Sequence, residues 1–280
     1  MGYGTLAHTV GRLPLRQLTE RLRGLELDFV QLALPKAVAD IDFSTGKLSP
    51  GLAAYVGEQF DRAGVRIGVL GCYIDPVHPD RDSRRGEIGR FKEHLRFARD
   101  FGTSIVATET GALTTYMEQD PIRYKETGWN VLVESVREMV EEAEKRGVTV
   151  GIEPVSVHTL HSAELTARLL EEVPSGNLGI VFDPVNLLTV DEIGNQTAFF
   201  DEAFRLFGDR IVLAHLKDVQ VIGGTKQELR SGSEGGQFQT AEFLSRLHEA
   251  KPLIDISLEC LTEETVLPSI RYVKSLEKTE

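Results

Sequence analysis

Eight times along this chain a short apolar run of strand formers gives way to a stretch with helical spacing, and that alternation restricts the fold more than any other feature. GTLAHTVG reads as a first strand, and Leu15–Leu25 as the helix after it, ending near Gly24. LDFVQLALP is a second strand closed by Pro35. Its helix starts near Ser49, with Pro50 in the first turn and Gly64 as a left-handed cap. VRIGVLGCYI is followed by a helix over Ser83–Phe101, and SIVATET by one over Tyr124–Arg146. The pattern runs on through TVGIEP, helix Ser162–Val173, LGIVFDP, helix Thr197–Phe207, IVLAHLKD, helix Thr240–Ala250, DISLEC and helix Thr262–Ser275. Strands that alternate with helices pair in parallel through right-handed crossovers. Eight such units with continuous apolar strands predict an α/β fold, the (β/α)8 TIM barrel, as one domain over residues 1–280. No Gly-x-Gly-x-x-Gly follows the first strand, which counts against an open dinucleotide-binding sheet.

Charge and cysteine usage narrow the partners. A net charge of −12 argues against nucleic acid, whose affinity rests on cationic neutralisation of phosphates. Cys72 and Cys260 make no disulfide framework, which fits a reducing compartment. The opening MGYGTLAHTVGRLP has neither the basic segment nor the apolar core of a signal peptide, and no run approaches the roughly 20 apolar residues of a membrane span. A cytoplasmic protein with no membrane partner is expected.

The chemistry concentrates at four strand ends. TVGIEP stops at Glu153 because Pro154 cannot continue a ladder. IVFDP ends at Asp183, IVLAHLKD carries His215 and DISLEC carries Glu259. These fall on consecutive strands, five to eight, and in a TIM barrel such ends meet around one mouth. Carboxylates that close repel by roughly 4 kcal/mol per pair at 4 Å and an effective dielectric near 20. Either some take up protons or a cation sits between them. Three oxygens and one imidazole suit Mn²⁺, Mg²⁺ or Co²⁺, with Zn²⁺ also admissible. The plain alternative, in which each acid caps a helix or pairs with a nearby base, explains one such residue more readily than four.

The GIEP, FDP, HLKD and SLE segments, taken in order, resemble the sugar phosphate isomerase/epimerase family of xylose isomerase-like TIM barrels, and the resemblance covers almost the whole chain. It implies that Glu153, Asp183, His215 and Glu259 hold one divalent metal, with Mn²⁺ foremost, and that Glu153 and Glu259 double as acid/base groups. Many relatives carry a histidine three residues after the strand-six aspartate, where this chain has Asn186. The more distant endonuclease IV-type repair enzymes need histidines at further strand ends, where this chain offers Cys72 and Glu109.

Around this core, Lys217 shares a strand face with His215 and either steadies an enediolate oxygen or pairs with Asp218. Glu109 reads as a substrate contact, a support for the ligands or a plain ion pair; His158 and His8 as contacts for sugar hydroxyls or exposed histidines; and Asn186 can hydrogen-bond a substrate hydroxyl. The loop RSGSEGGQF, with Arg230, precedes a helix where many barrels bind phosphate. His78, His94, His161 and His248 read as structural or solvent-facing.

The expected activity is isomerisation or epimerisation of a sugar, sugar phosphate or related polyhydroxy ketone, through an enediolate bound to the metal. An inosose-type dehydratase on the same site is the runner-up. An endonuclease IV-like hydrolase and a non-catalytic sugar-binding barrel stand behind it. The expected partner is a small carbohydrate, and the sequence leaves a homo-oligomer open.

Overall fold

The computed structural model describes residues 1–277. In its first half the elements are β1 (Gly2–Leu6), α1 (Leu15–Arg23), β2 (Phe29–Leu32), α2 (Leu34–Ala37), α3 (Pro50–Ala63), β3 (Arg66–Gly71), α4 (Arg81–Phe97), β4 (Ile105–Thr108), α5 (Tyr124–Arg146) and β5 (Thr149–Ile152). The second half continues with α6 (Ala163–Glu172), β6 (Leu178–Phe182), α7 (Pro184–Leu187), α8 (Gln196–Phe207) and β7 (Ile211–Leu216). It closes with β8 (Asp218–Ile222), β9 (Thr225–Leu229), α9 (Thr240–Ala250), β10 (Asp255–Leu258) and α10 (Glu263–Leu276).

Eight of the strands close a parallel barrel in the order β1-β10-β7-β6-β5-β4-β3-β2, the TIM barrel expected from the alternation. Local chemistry explains the boundaries. Ser49 caps α3 by accepting from the Leu52 N–H, Pro50 occupies the first turn, and Gly64 ends the helix at φ +74°. The barrel interior is filled by Phe29, Val69, Ala107, Val181 and Leu213. Phe29 fits because the strands on either side offer Gly4 and Gly68, where a Cβ would come within 2.7 and 2.5 Å of the ring. Arg66 lies over that ring at 5.1 Å and pairs with Asp255 across the N-terminal end. Outside, Phe182 of β6 packs with Phe199, Phe204 and Phe207 of α8 and Phe243 of α9, ring centroids 5.1–6.3 Å apart.

Several expected boundaries move. The first strand stops at Leu6, and Ala7–Val10 forms a 3-10 turn that carries His8. The ALP end of the second strand is not strand, because Leu34 starts the one-turn α2 with Pro35 in its first turn. α4 begins at Arg81, capped by Asp80 accepting from the Ser83 N–H, and ends at Phe97. The largest departure follows β7. A two-stranded antiparallel hairpin, β8–β9, turns at Gly223–Gly224 with φ +59° and +78°, between β7 and α9. Among the described residues no helix is long and apolar enough to cross a membrane.

Candidate metal centre and mouth

Backbone pairing extends one residue beyond two of the strands and places their carboxylates. The Glu153 N–H donates to Thr108 O at 3.0 Å, and the Glu259 N–H to Leu216 O at 3.0 Å, so each glutamate root is held by the neighbouring strand. Asp183 caps α7, its Oδ1 accepting from the Asn186 N–H at 2.9 Å. His215 stands on β7 between them. Its Nδ1 is 3.5 Å from Glu153 Oε2 and 3.2 Å from Glu259 Oε1, and its Nε2 is 2.9 Å from Gln31 Oε1.

This cluster fits a cation. Ligand atoms of Glu153, Asp183 and His215 all lie within 4.8 Å of one another, and Glu259 Oε1 faces the same imidazole nitrogen. Of these buried atoms, His215 Nδ1 makes no hydrogen bond, and Asp183 Oδ2 is met by the Lys217 ammonium at 3.1 Å without a hydrogen bond. Burial pushes the Glu153 pKa up, with the Glu259 and Asp183 charges acting in the same sense against the opposing pull of His215. Burial alone would lower the pKa of His215. The carboxylates of Glu259, Glu153 and Asp183 outweigh it and push it up to about 9. The cluster thus attracts positive charge, whether a proton or a divalent ion with O and N ligands.

Lys217 supplies part of that charge. Its ammonium, 3% exposed, lies 3.1 Å from Asp183 Oδ2, 3.0 Å from Glu228 Oε2 and 3.3 Å from Glu259 Oε2. Burial works against its charge, but these three carboxylates prevail and hold its pKa above the ordinary lysine value. Of the two alternatives for Lys217, the pairing with Asp218 is overturned: Lys217 lines the mouth, while Asp218 accepts the Val219 and Phe238 N–H groups at 2.8 and 2.9 Å. Asn186 joins the two halves of the cluster, donating to Glu153 Oε1 at 2.7 Å and accepting from Lys217 Nζ at 2.7 Å.

Above the cluster opens a cavity of about 340 Å³, lined by His8, Lys36, Tyr73, Glu109, His158, Asn186, Lys217, Glu228 and Glu259, with Leu6 and Val155. Glu109 Oε2 and His158 Nδ1 are 3.5 Å apart on its rim. Burial lowers the His8 pKa, and nearby Lys36 lowers it further. Arg230 does not line this cavity. The segment after it is held on α10 instead, where Ser269 Oγ donates to Ser231 O at 3.0 Å and Gly232 lies against Tyr272. Of the loop once expected to receive phosphate, the Phe238 N–H is taken by the chain's own Asp218, and Gly236 packs on that carboxylate. A separate cavity of about 400 Å³ between Met1, α9 and the end of α10 holds none of these groups.

A family model described as xylose isomerase-like TIM barrel matches residues 20–276. The chain belongs to that family. Among solved structures of similar fold, a D-tagatose 3-epimerase-like protein superposes with TM-score 0.78 at 19% identity, covering 99% of this chain and 97% of its own. A xylose isomerase-like TIM barrel protein from Mycobacterium smegmatis in complex with magnesium gives 0.74 at 13% identity, covering 99% and 95%. The IOLI protein with a bound zinc atom gives 0.71 at 18% identity, covering 99% and 96%. No curated protein matches this chain in sequence.

Within this xylose isomerase-like barrel the structure brings together Glu153, Asp183, His215, Glu259, Asn186 and Lys217. It places His8, Glu109 and His158 on the rim and leaves Arg230 outside. Sequence reasoning missed Gln31, Lys36, Tyr73 and Glu228. For Gln31 a signal existed, a lone amide inside the apolar run FVQL.

Proposed function

We propose that this chain is a divalent-cation-dependent isomerase or epimerase acting on a sugar or related polyhydroxy ketone. One observation carries the reading. Carboxylates from β5 and β10 approach the same imidazole nitrogen, Glu153 Oε2 at 3.5 Å and Glu259 Oε1 at 3.2 Å, with β6 and β7 between their strands. A divalent ion held by Glu153, Asp183, His215 and Glu259, with Mn²⁺ the first to test, would polarise the carbonyl of a substrate and ease loss of the proton beside it.

The side chains of the mouth divide the remaining work. Asn186 occupies Glu153 Oε1 and leaves Oε2 to receive the proton, and burial makes that carboxylate a better base than an exposed one. Glu259 is more open, its side chain 15% exposed, and Lys217 holds its Oε2, which leaves Oε1 to act on the other face of the same carbon. Glu153 keeps the proton it takes, and delivery of a second proton carried by Glu259 to that other face inverts the centre. Glu109, His158 and His8 receive the outer hydroxyls.

The test is deuterium wash-in beside the carbonyl, followed by NMR over a panel of ketoses and inososes, with the protein loaded with Mn²⁺. Wild type should exchange and epimerise at least one member, whereas a product lacking water would mark a dehydratase. Glu153→Gln and Glu259→Gln should each lose about 10²–10⁴-fold in turnover while keeping the fold. Near-normal epimerisation by both loaded variants would place the acid/base pair elsewhere.

A further inference from the structure

The structure assigns to Gln31 a positioning role that none of the strand-end motifs contains: its carbonyl oxygen holds the His215 ring so that Nδ1 presents a lone pair to a cation. This rests on the reading of the four-residue cluster as a metal centre. Gln31 is 1% exposed on β2, between apolar neighbours, where an amide is tolerated only if both of its ends are satisfied. Both are. Oε1 lies 2.9 Å from His215 Nε2, and the amide N–H donates to the Tyr73 hydroxyl at 2.8 Å. The first of these bonds crosses the barrel, since β1 and β10 stand between β2 and β7.

The logic is one of donors and acceptors. A neutral imidazole has one N–H and one lone pair. A carbonyl oxygen only accepts, so with Oε1 facing the ring the proton belongs on Nε2. The lone pair then sits on Nδ1, the buried atom without a hydrogen bond that faces Glu153 and Glu259. With the amide turned end for end, its NH₂ would claim a lone pair on Nε2. Nδ1 would then carry the proton toward the carboxylates and offer a cation nothing. Tyr73 tolerates both arrangements, because a phenol both donates and accepts. In the orientation that turns Oε1 to the ring, Gln31 thus holds the tautomer that leaves Nδ1 to a cation.

The two directions of substitution separate this role from simple packing. Gln31→Leu fills the same space with an apolar side chain but removes the acceptor, and should weaken Zn²⁺ and Co²⁺ binding by about 10–100-fold in calorimetry. Gln31→Glu can only accept when ionised, so it should restore most of that affinity. Tyr73→Phe removes the outer partner alone and should weaken binding less than Gln31→Leu. Independently of any variant, nitrogen NMR of the Zn²⁺-loaded, ¹⁵N-histidine-labelled wild type should show His215 protonated at Nε2 and ligated at Nδ1. Ligation through Nε2 overturns the assignment. So does wild-type affinity in Gln31→Leu, or a Gln31→Glu variant as weak as Gln31→Leu. In those cases the metal centre itself stands. A wild type that binds no divalent ion removes the metal centre, and the role of Gln31 falls with it.

Discussion

Replacing Lys217 by methionine tests whether the buried ammonium and a divalent ion share the same carboxylates. The substitution keeps most of the apolar stem and removes the charge together with the bond to Asn186 Oδ1. Lys217 Nζ lies 3.0–3.3 Å from carboxylate oxygens of Glu228, Asp183 and Glu259. At about 3 Å and an effective dielectric near 20, each pair is worth roughly 5 kcal/mol of gross attraction. Much of this is offset by the cost of burying the ammonium, and breaking a buried pair typically costs about 3–5 kcal/mol. For a domain of this size that corresponds to a Tm lowered by roughly 6–20 °C. Asp183 and Glu259 are also proposed to hold the ion. In the variant, a divalent cation would therefore meet the same carboxylates without repulsion from Lys217. The assay is calorimetric melting at a fixed scan rate, with chelator and with saturating Mn²⁺, alongside titration of the ion. Chelated Lys217→Met should show the full drop, added ion should recover most of it, and the ion should bind the variant more tightly than wild type. An equal drop in both buffers with unchanged affinity would refute the reasoning, because the ion would then lie elsewhere.

Three further outcomes are expected. Phe243→Ala should cost about 3–5 kcal/mol in denaturant melts, since this buried ring packs on Phe182, Phe200, Phe204 and Phe238; a loss below 1 kcal/mol would show that the site collapses around the gap. Burial lowers the pKa of His94, so in acid the unfolded chain binds more protons than the folded one; stability from this group is full above about pH 6.5 and is lost as pH falls toward the folded value. His94→Gln should accordingly lose less Tm than wild type between about pH 7.5 and 5, and equal losses would rule the group out as a source of acid sensitivity. With a net charge of −12, duplex DNA binding by fluorescence anisotropy should be undetectable at physiological salt, and chelator-sensitive cleavage of abasic-site DNA would instead favour a nuclease.

The barrel was legible where each signal was local. Ser49, Pro50 and Gly64 mark both ends of α3 within their own neighbourhood, and Gly147 ends α5 at φ +61° directly before β5. The hairpin was less legible, although Gly223–Gly224 between Val221-Ile222 and Thr225 is a two-residue turn signal. Its strands carry Gln220, Lys226, Gln227 and Glu228 and present little apolar face, so no periodicity announces them. What fastens β9 to the mouth is polar. Lys226 donates to Val185 O and Leu188 O at 2.6 and 2.8 Å, and Glu228 meets Lys217 at 3.0 Å. The one-turn helices α2 and α7 are too short for any helical repeat to register.

The four strand-end residues could be read because a strand end is a property of the local sequence: an apolar run, then a polar group, then proline or a loop. The partners that orient them could not, because partnership depends on barrel closure. Gln31 and His215 are 184 residues apart and meet only because β2 and β7 face one another across the closed sheet. Arg230, read from a local signal, lies outside the lining of the mouth for the complementary reason. Its position before a helix suggested an anion site, but Ser231 is bonded to Ser269 of α10 and the Phe238 N–H already has Asp218. An acceptor supplied by the chain itself is within hydrogen-bond reach at all times and loses no translational freedom on binding. A free anion must overcome that loss as well as match the bond. At the Phe238 N–H an internal carboxylate is therefore favoured over an external phosphate.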